Sequence, residues 1–238
     1  MAGAFFTNNK CEEVKMKKLT GCFIALMVLL MCVSLNAQSN RIGVIGGINL
    51  ANLSTDEPGV EPSTLTAYGF GGVLDLRIGN SMWLCFEPMY LQKGAEQEVT
   101  EDGMTMDMNV KANYIEDPVF LKIALGSGDT RPYVMAGPTV GFLMSANAAV
   151  SAMGISVDVD IKDMMESLDY GIGFGGGISF AMGRNRLFVE GRYTMGLADV
   201  QKEGEVNIAG ETEVMEDADV KTKGIQIMAG ITIPIGGQ

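Results

Sequence analysis

Residues 170 to 180 read YGIGFGGGISF, and period two divides them into two very unlike faces. Successive side chains of an extended strand point to opposite sides. One side carries Tyr170, Ile172, Phe174, Gly176, Ile178 and Phe180; the other carries Gly171, Gly173, Gly175, Gly177 and Ser179. The same contrast recurs along the chain. In 225–235 the isoleucines alternate with Gln226, Met228, Gly230 and Thr232, and in 68–78 Tyr68, Phe70, Leu74, Leu76 and Ile78 alternate with Gly69, Gly71, Asp75 and Arg77. Eight such runs are predicted, at 41–53, 65–78, 82–93, 113–125, 131–146, 168–181, 186–197 and 223–235, with no helical stretch among them.

Their connections alternate in length. Short turns (79–81, 126–130, 182–185) are rich in Gly, Asp and Asn, whereas long connections lie near 54–64, 94–112, 147–167 and 198–222. Within the long ones, EQEVT and MTMDMNV flank EDG, and ISVDVDI (155–161) alternates, so they read as hairpins rather than shapeless loops. An even number of antiparallel strands with short turns at one end and long loops at the other predicts an all-β, eight-stranded, up-and-down transmembrane β-barrel.

The faces set the orientation. A soluble ligand-binding barrel packs bulky apolar residues inside. An eight-stranded barrel has little interior room, so here the glycine face must point inward and the bulky face outward, into lipid. Residues 186–197 test this hardest, because Glu190 and Arg192 alternate with Leu187, Val189 and Tyr193. A lipid-facing arginine at the bilayer midplane costs about 2–4 kcal/mol. Inside, it can pair. The inward set is Asp75, Glu87, Glu116 and Glu190 with Arg77, Lys122 and Arg192, read as a lumen charge network that closes the barrel rather than as an ion path, since buried charges must be paired whatever the function. Tyr68, Trp83, Tyr90, Tyr114, Tyr133 and Tyr170 fall near strand ends and are expected in the interfacial girdles. Asp117 is anomalous on the outward face; it lies either at the outer interface or beside a bulge at Pro118.

The start of the chain bears on compartment. Lys17 and Lys18 precede the apolar run CFIALMVLLMCV, which is followed by SLNA, a secretory signal peptide over 16–37. Residues 1–15 read as an upstream extension, and 38–238 as the barrel domain. Without 1–37, of the four cysteines only Cys85 remains, which rules out an internal disulfide, and 13 bases face 27 acids. That balance excludes a nucleic-acid partner. Acids concentrate in the long connections (Glu96, Glu98, Glu101, Glu211, Glu213, Glu216), while Arg131, Arg184 and Arg186 lie at the short turns.

Chemical motifs are few. GIGFGG (171–176) matches a dinucleotide fingerprint, but a strand follows it instead of a helix. DVDIKD (158–163) lacks the glycine and glutamate of a calcium loop. The chain contains no histidine, which closes the Ser–His type of chemistry, and neither a catalytic, a cofactor nor a metal site is expected.

Three stretches carry a family resemblance: RIGVIGGINLANLS (41–54), YIEDPVFLKIALGSGDTRPYVMAGPTVGFLMSA (114–146) and RLFVEGRYTMGLADV (186–200). The chain resembles PorT-like outer-membrane β-barrel proteins of the Bacteroidetes type. The middle stretch is the most specific, with Y-I-E, L-K and P-Y-x-x-A-G-P in order. The resemblance implies an OmpA/OmpX-like eight-stranded barrel in the outer membrane of a Gram-negative bacterium. The functional expectation is a non-enzymatic structural or surface-interaction protein acting through acidic extracellular hairpins. Its surroundings would be outer-membrane lipid and lipopolysaccharide, the barrel-assembly machinery, and an unidentified envelope or secretion partner. The alternatives are a carrier or narrow channel for small hydrophobic molecules or ions, and an envelope-lipid-modifying enzyme.

Overall fold

The computed structural model describes residues 40–55, 62–101, 104–152, 155–202, 204–208, 211–215 and 219–235. The signal-peptide reading falls outside these residues. The strands are β1 (Asn40–Ser54), β2 (Leu65–Arg77), β3 (Met82–Phe86), β4 (Met89–Glu101), β5 (Met104–Ala124), β6 (Thr130–Ala152), β7 (Ile155–Asp160), β8 (Leu168–Met182), β9 (Asn185–Gly196), β10 (Gly204–Ile208), β11 (Glu211–Met215) and β12 (Lys221–Ile235). Among the described residues the only other element is a 3-10 turn at Lys162–Met164.

Neighbours in the chain pair antiparallel, and β1 pairs with β12 along its whole length, from Asn40 opposite Ile235 to Ser54 opposite Lys221. With β3 and β4 acting as one strand, eight strands close into a ring. The break between them is chemical, since Pro88 has no N–H for the ladder. The register to β5 is the same on both sides, with Phe86 opposite Val119 and Met89 opposite Glu116. Pro88 still accepts from Gly72 N–H at 2.9 Å. Gly128 and Gly183 take positive φ in the short turns, as those turns require.

Among the described residues, three of the four long connections carry hairpins. β4 and β5 continue past the ring to Glu101 and Met104, β7 folds back on β6, and β10 pairs with β11 in a separate two-stranded sheet. The strands therefore extend well beyond the sequence-predicted limits at Lys93 and Asn113. Alternation continues through both, and the backbone hydrogen bonds of β5 and β6 run to Met106 opposite Ala152.

The outward face is apolar: Val44, Phe70, Phe174, Val189 and Ile227 are each about half exposed. Inside, Val73, Met89, Leu91, Phe120, Phe188 and Met228 form the main buried cluster. Two expectations are corrected. Tyr114 and Tyr133 are not girdle residues; they are buried in the lumen, because they share the parity of Glu116 and Arg131 on their strands. Tyr68 and Tyr170 do stand outside, half exposed. No bulge lies at Pro118, where the pairs Pro118–Thr139 and Leu121–Ala136 keep one register; the shift is at Asn113/Tyr114, which skips Met144. Asp117 therefore keeps its outward parity, opposite Val140 and only partly exposed.

The glycine face of β8 is cleared for specific neighbours. A Cβ on Gly173 would lie 2.9 Å from a Phe120 ring carbon, one on Gly175 2.7 Å from Arg192 Cβ, and one on Gly177 2.5 Å from Tyr133 Oη. At Gly191, on the outward face next to Arg192, a Cβ meets nothing within 4 Å. Gly175→Ala is expected to cost about 1–3 kcal/mol through overpacking, and Gly191→Ala to stay within about 0.5 kcal/mol. Urea midpoints of the detergent-refolded barrels measure both, and equal midpoints would contradict the inward placement of Gly175.

Candidate functional site in the lumen

Strand parity carries Asp75 (β2), Glu116 and Lys122 (β5), and Glu190 and Arg192 (β9) into the lumen, with Glu87 at the β3–β4 junction; all six are at least nine-tenths buried. Arg77 does not join them. It is the last residue of β2 and is exposed, and its guanidinium folds back to donate to the carbonyls of Gly79 (2.9 Å) and Asn80 (3.2 Å). Two residues absent from the sequence-derived set take part: Lys93 and Asp169, both buried. Their parity was legible, since Lys93 continues Glu87, Met89 and Leu91, and Asp169 continues Gly171 and Gly173. Both sit at the ends of their predicted runs, where the alternation gives least warning.

The buried charges form two clusters. The first lies toward the short turns. Arg192 donates to Glu87, to Glu190 (3.4 Å), to Gln226 Oε1 (2.5 Å) and to Met89 Sδ (3.3 Å), and its guanidinium stacks 5.4 Å from the centre of the Phe120 ring. Tyr133 Oη donates to Glu190 at 2.7 Å and Cys85 Sγ to Glu87 at 3.2 Å. Lys122 donates to Asp75 at 3.4 Å and lies 5.0 Å from the Tyr133 ring centre. The second cluster is nearer the hairpins. Lys93 pairs with Glu116 and donates to Asp169 at 2.9 Å, and Thr222 Oγ1 donates to the same Asp169 oxygen at 2.8 Å.

Above this second cluster the barrel is capped. Met165 and Val200, with Ile161 and Val220 against them, pack on Tyr114, Leu143 and Ala146. Backbone bonds hold the cap down: Leu143 N–H to Ser167 O, Glu166 N–H to Val200 O, and Val200 N–H to Val220 O, each 2.9 Å. An apolar cavity of about 310 Å³ remains between the cap and Leu53, Ala95 and Val110. At the opposite end a polar mouth of about 420 Å³ opens between the short turns.

The model of the outer membrane protein beta-barrel domain family matches residues 36–202. The chain belongs to this family. In an outer-membrane barrel the half-exposed Val44, Phe70, Phe174, Val189 and Ile227 meet acyl chains, and the charge clusters sit inside the wall. Among solved structures the chain is similar to the attachment invasion locus protein Ail of Yersinia pestis, at 13% identity over 82% of this chain and 99% of that one, TM-score 0.41. It is similar to Neisserial surface protein A at 12% identity over 82% and 97%, TM-score 0.38, and to OprG from Pseudomonas aeruginosa at 9% over 82% and 96%, TM-score 0.42. No curated protein matches the sequence.

Proposed function

We propose that this outer-membrane barrel is a non-enzymatic structural or surface-interaction protein with a closed lumen, acting through its acidic hairpins. On this reading a cleaved signal peptide exports it to the outer membrane of a Gram-negative bacterium, and within the family it groups with PorT-like members. The short turns face the periplasm and the hairpins of β4–β5, β6–β7 and β10–β11 face outside, beside lipopolysaccharide.

One observation carries the reading: paired charges and large side chains block the lumen at two levels. Arg192 and Lys93 each bridge two carboxylates across it, and Phe120, Tyr133 and Met228 fill the space between. Such a lumen leaves the projecting hairpins as the surface available to a partner, and their Glu96, Glu98, Glu101, Asp107, Asp158 and Asp160 suit a basic or cation-bridged contact.

Two measurements test it. In planar bilayers the purified barrel is expected to give no large steady conductance; a stable open state would overturn the closed lumen. Photo-cross-linking in intact cells from Gln97 and Ser156 is expected to give a discrete adduct that Ser127, in a short turn, does not give. No adduct from either hairpin position would remove the surface-contact role.

A second reading, a carrier for small hydrophobic molecules, is supported by the 310 Å³ apolar cavity under the cap. It requires a saturable environment-sensitive dye signal that Ala95→Trp, which fills the cavity, abolishes.

A further inference from the structure

The short-turn mouth gathers four of the chain's six arginines. With Lys and Arg outnumbered 17 to 29 by Asp and Glu, four arginines from four different strands or strand ends line one cavity of about 420 Å³: Arg41 (β1), Arg77 (β2), Arg131 (β6) and Arg186 (β9). Lys122 and its partner Asp75 form the inner wall. Arg192, Lys122 and Lys93 make the direct ion pairs with the buried carboxylates; of the mouth arginines, Arg41 stands opposite Asp75 across the β1–β2 pair and is attracted by it.

The hydrogen bonds of Arg41, Arg131 and Arg186 are to neutral oxygens. Arg41 donates to Thr232 Oγ1 (3.0 Å), Thr232 O (3.1 Å) and Arg184 O (2.9 Å). Arg186 donates to Ser179 Oγ (3.3 Å) and Asp129 O (3.1 Å), and Arg131 through Nε to Gly128 O (2.8 Å). These bonds fix the side chains while leaving Nη1 of Arg41 and Arg186, and both Nη of Arg131, unused among the described residues. Arg41, Arg131 and Arg186 are also close enough to repel one another. Three fixed guanidinium groups with spare donors, lining one polar hollow, are matched by an anion that spreads charge over several oxygens. Guanidinium pairs with phosphate through parallel N–H···O bonds, where a single carboxylate offers only two oxygens.

We propose that the short-turn mouth binds a phosphate group of a multiply charged anion, gripped by Arg41, Arg131 and Arg186. The phosphate belongs either to a soluble anion or to a lipid headgroup reaching over the rim. The inference does not depend on what the hairpins contact. A conductance measurement that overturned the closed lumen would leave it standing, and its own failure would leave the closed lumen standing.

The mouth contains its own reporter, Trp83, the only tryptophan of the chain. Full-length mature barrel refolded in an amine-oxide detergent is titrated with sodium pyrophosphate at constant ionic strength, with Trp83 emission followed. In a second arm it is moved into nanodiscs of phosphatidylcholine with or without phosphatidylglycerol. A saturable change with pyrophosphate identifies a soluble phosphate ligand, and a change with phosphatidylglycerol alone identifies a headgroup. Either must weaken about tenfold or more in Arg131→Gln/Arg186→Gln, as expected on losing charge-assisted hydrogen bonds. Heat-modified mobility on gels checks that the double variant folds; Arg131→Gln alone, which gives up a hydrogen bond to the turn carbonyl of Gly128, serves if it does not. No saturable change in either arm, or an equal change in the variants, overturns the proposal.

Discussion

Arg192→Met is expected to lower the unfolding free energy of the refolded barrel by about 3–5 kcal/mol, the cost of leaving buried carboxylates uncompensated. Arg192 is 2% exposed and its guanidinium contacts Glu87, Glu190 and Gln226 at once. Removing it leaves two buried acids close together in the lumen, with Tyr133, Cys85 and Lys122 as their remaining polar neighbours. The penalty is for the unpaired charges, not for the lost contact. Adding Glu87→Gln and Glu190→Gln to Arg192→Met should therefore restore most of the stability, because a neutral lumen of similar volume costs little. Urea titration in detergent micelles reads all three proteins. A single variant as stable as the parent would mean that Arg192 is not the compensating charge. A triple variant no better than the single would mean that its packing against Phe120, rather than its charge, is what matters.

Ile227→Arg tests the other face, and its expected cost is about 2–4 kcal/mol in a bilayer or micelle. Ile227 is near the middle of β12, 47% exposed, with Ile48 and Gly191 opposite it on the flanking strands. In water an arginine at so exposed a position would be nearly neutral. Against acyl chains it must snorkel or carry a water defect inward. The neighbouring inward position cannot substitute for this test, since Met228 is 1% exposed and any large polar replacement there fails for lack of room. Folding of Ile227→Arg into lipid vesicles with parent stability would reverse the assignment of the two faces, and with it the membrane location of the glycine-poor side.

The two expected losses differ in how far each was legible without coordinates. The outward place of Ile227 follows from β12 alone, where Ile225, Ile227, Ala229, Ile231, Ile233 and Ile235 alternate with Gln226, Met228, Gly230, Thr232 and Pro234. Parity is a local property of an extended backbone, so it also carried Asp75, Glu87, Glu116, Lys122, Glu190 and Arg192 to the inside before any partner was known. It misled only at strand ends. Arg77 has inward parity, yet β2 stops there and the side chain turns to its own loop. Tyr114 and Tyr133 lie near the ends of their predicted runs, which suggests a girdle, but their parity is inward and both are buried in the lumen. The alternating run of 82–93 ends at Lys93, whereas β4 continues to Glu101.

The sequence by itself determined the number of barrel strands, which end carries the short turns, and six of the charged side chains that enter the lumen, because alternation and turn chemistry act over a few residues. Only the tertiary structure decided who meets whom across the barrel. That Arg192 reaches Glu87, 105 positions away, that Lys93 bridges Glu116 and Asp169, and that arginines of β1, β2, β6 and β9 share one mouth all depend on the ring's closure and stagger. Those quantities are set by the pairing of whole strands, and no single strand's pattern contains them.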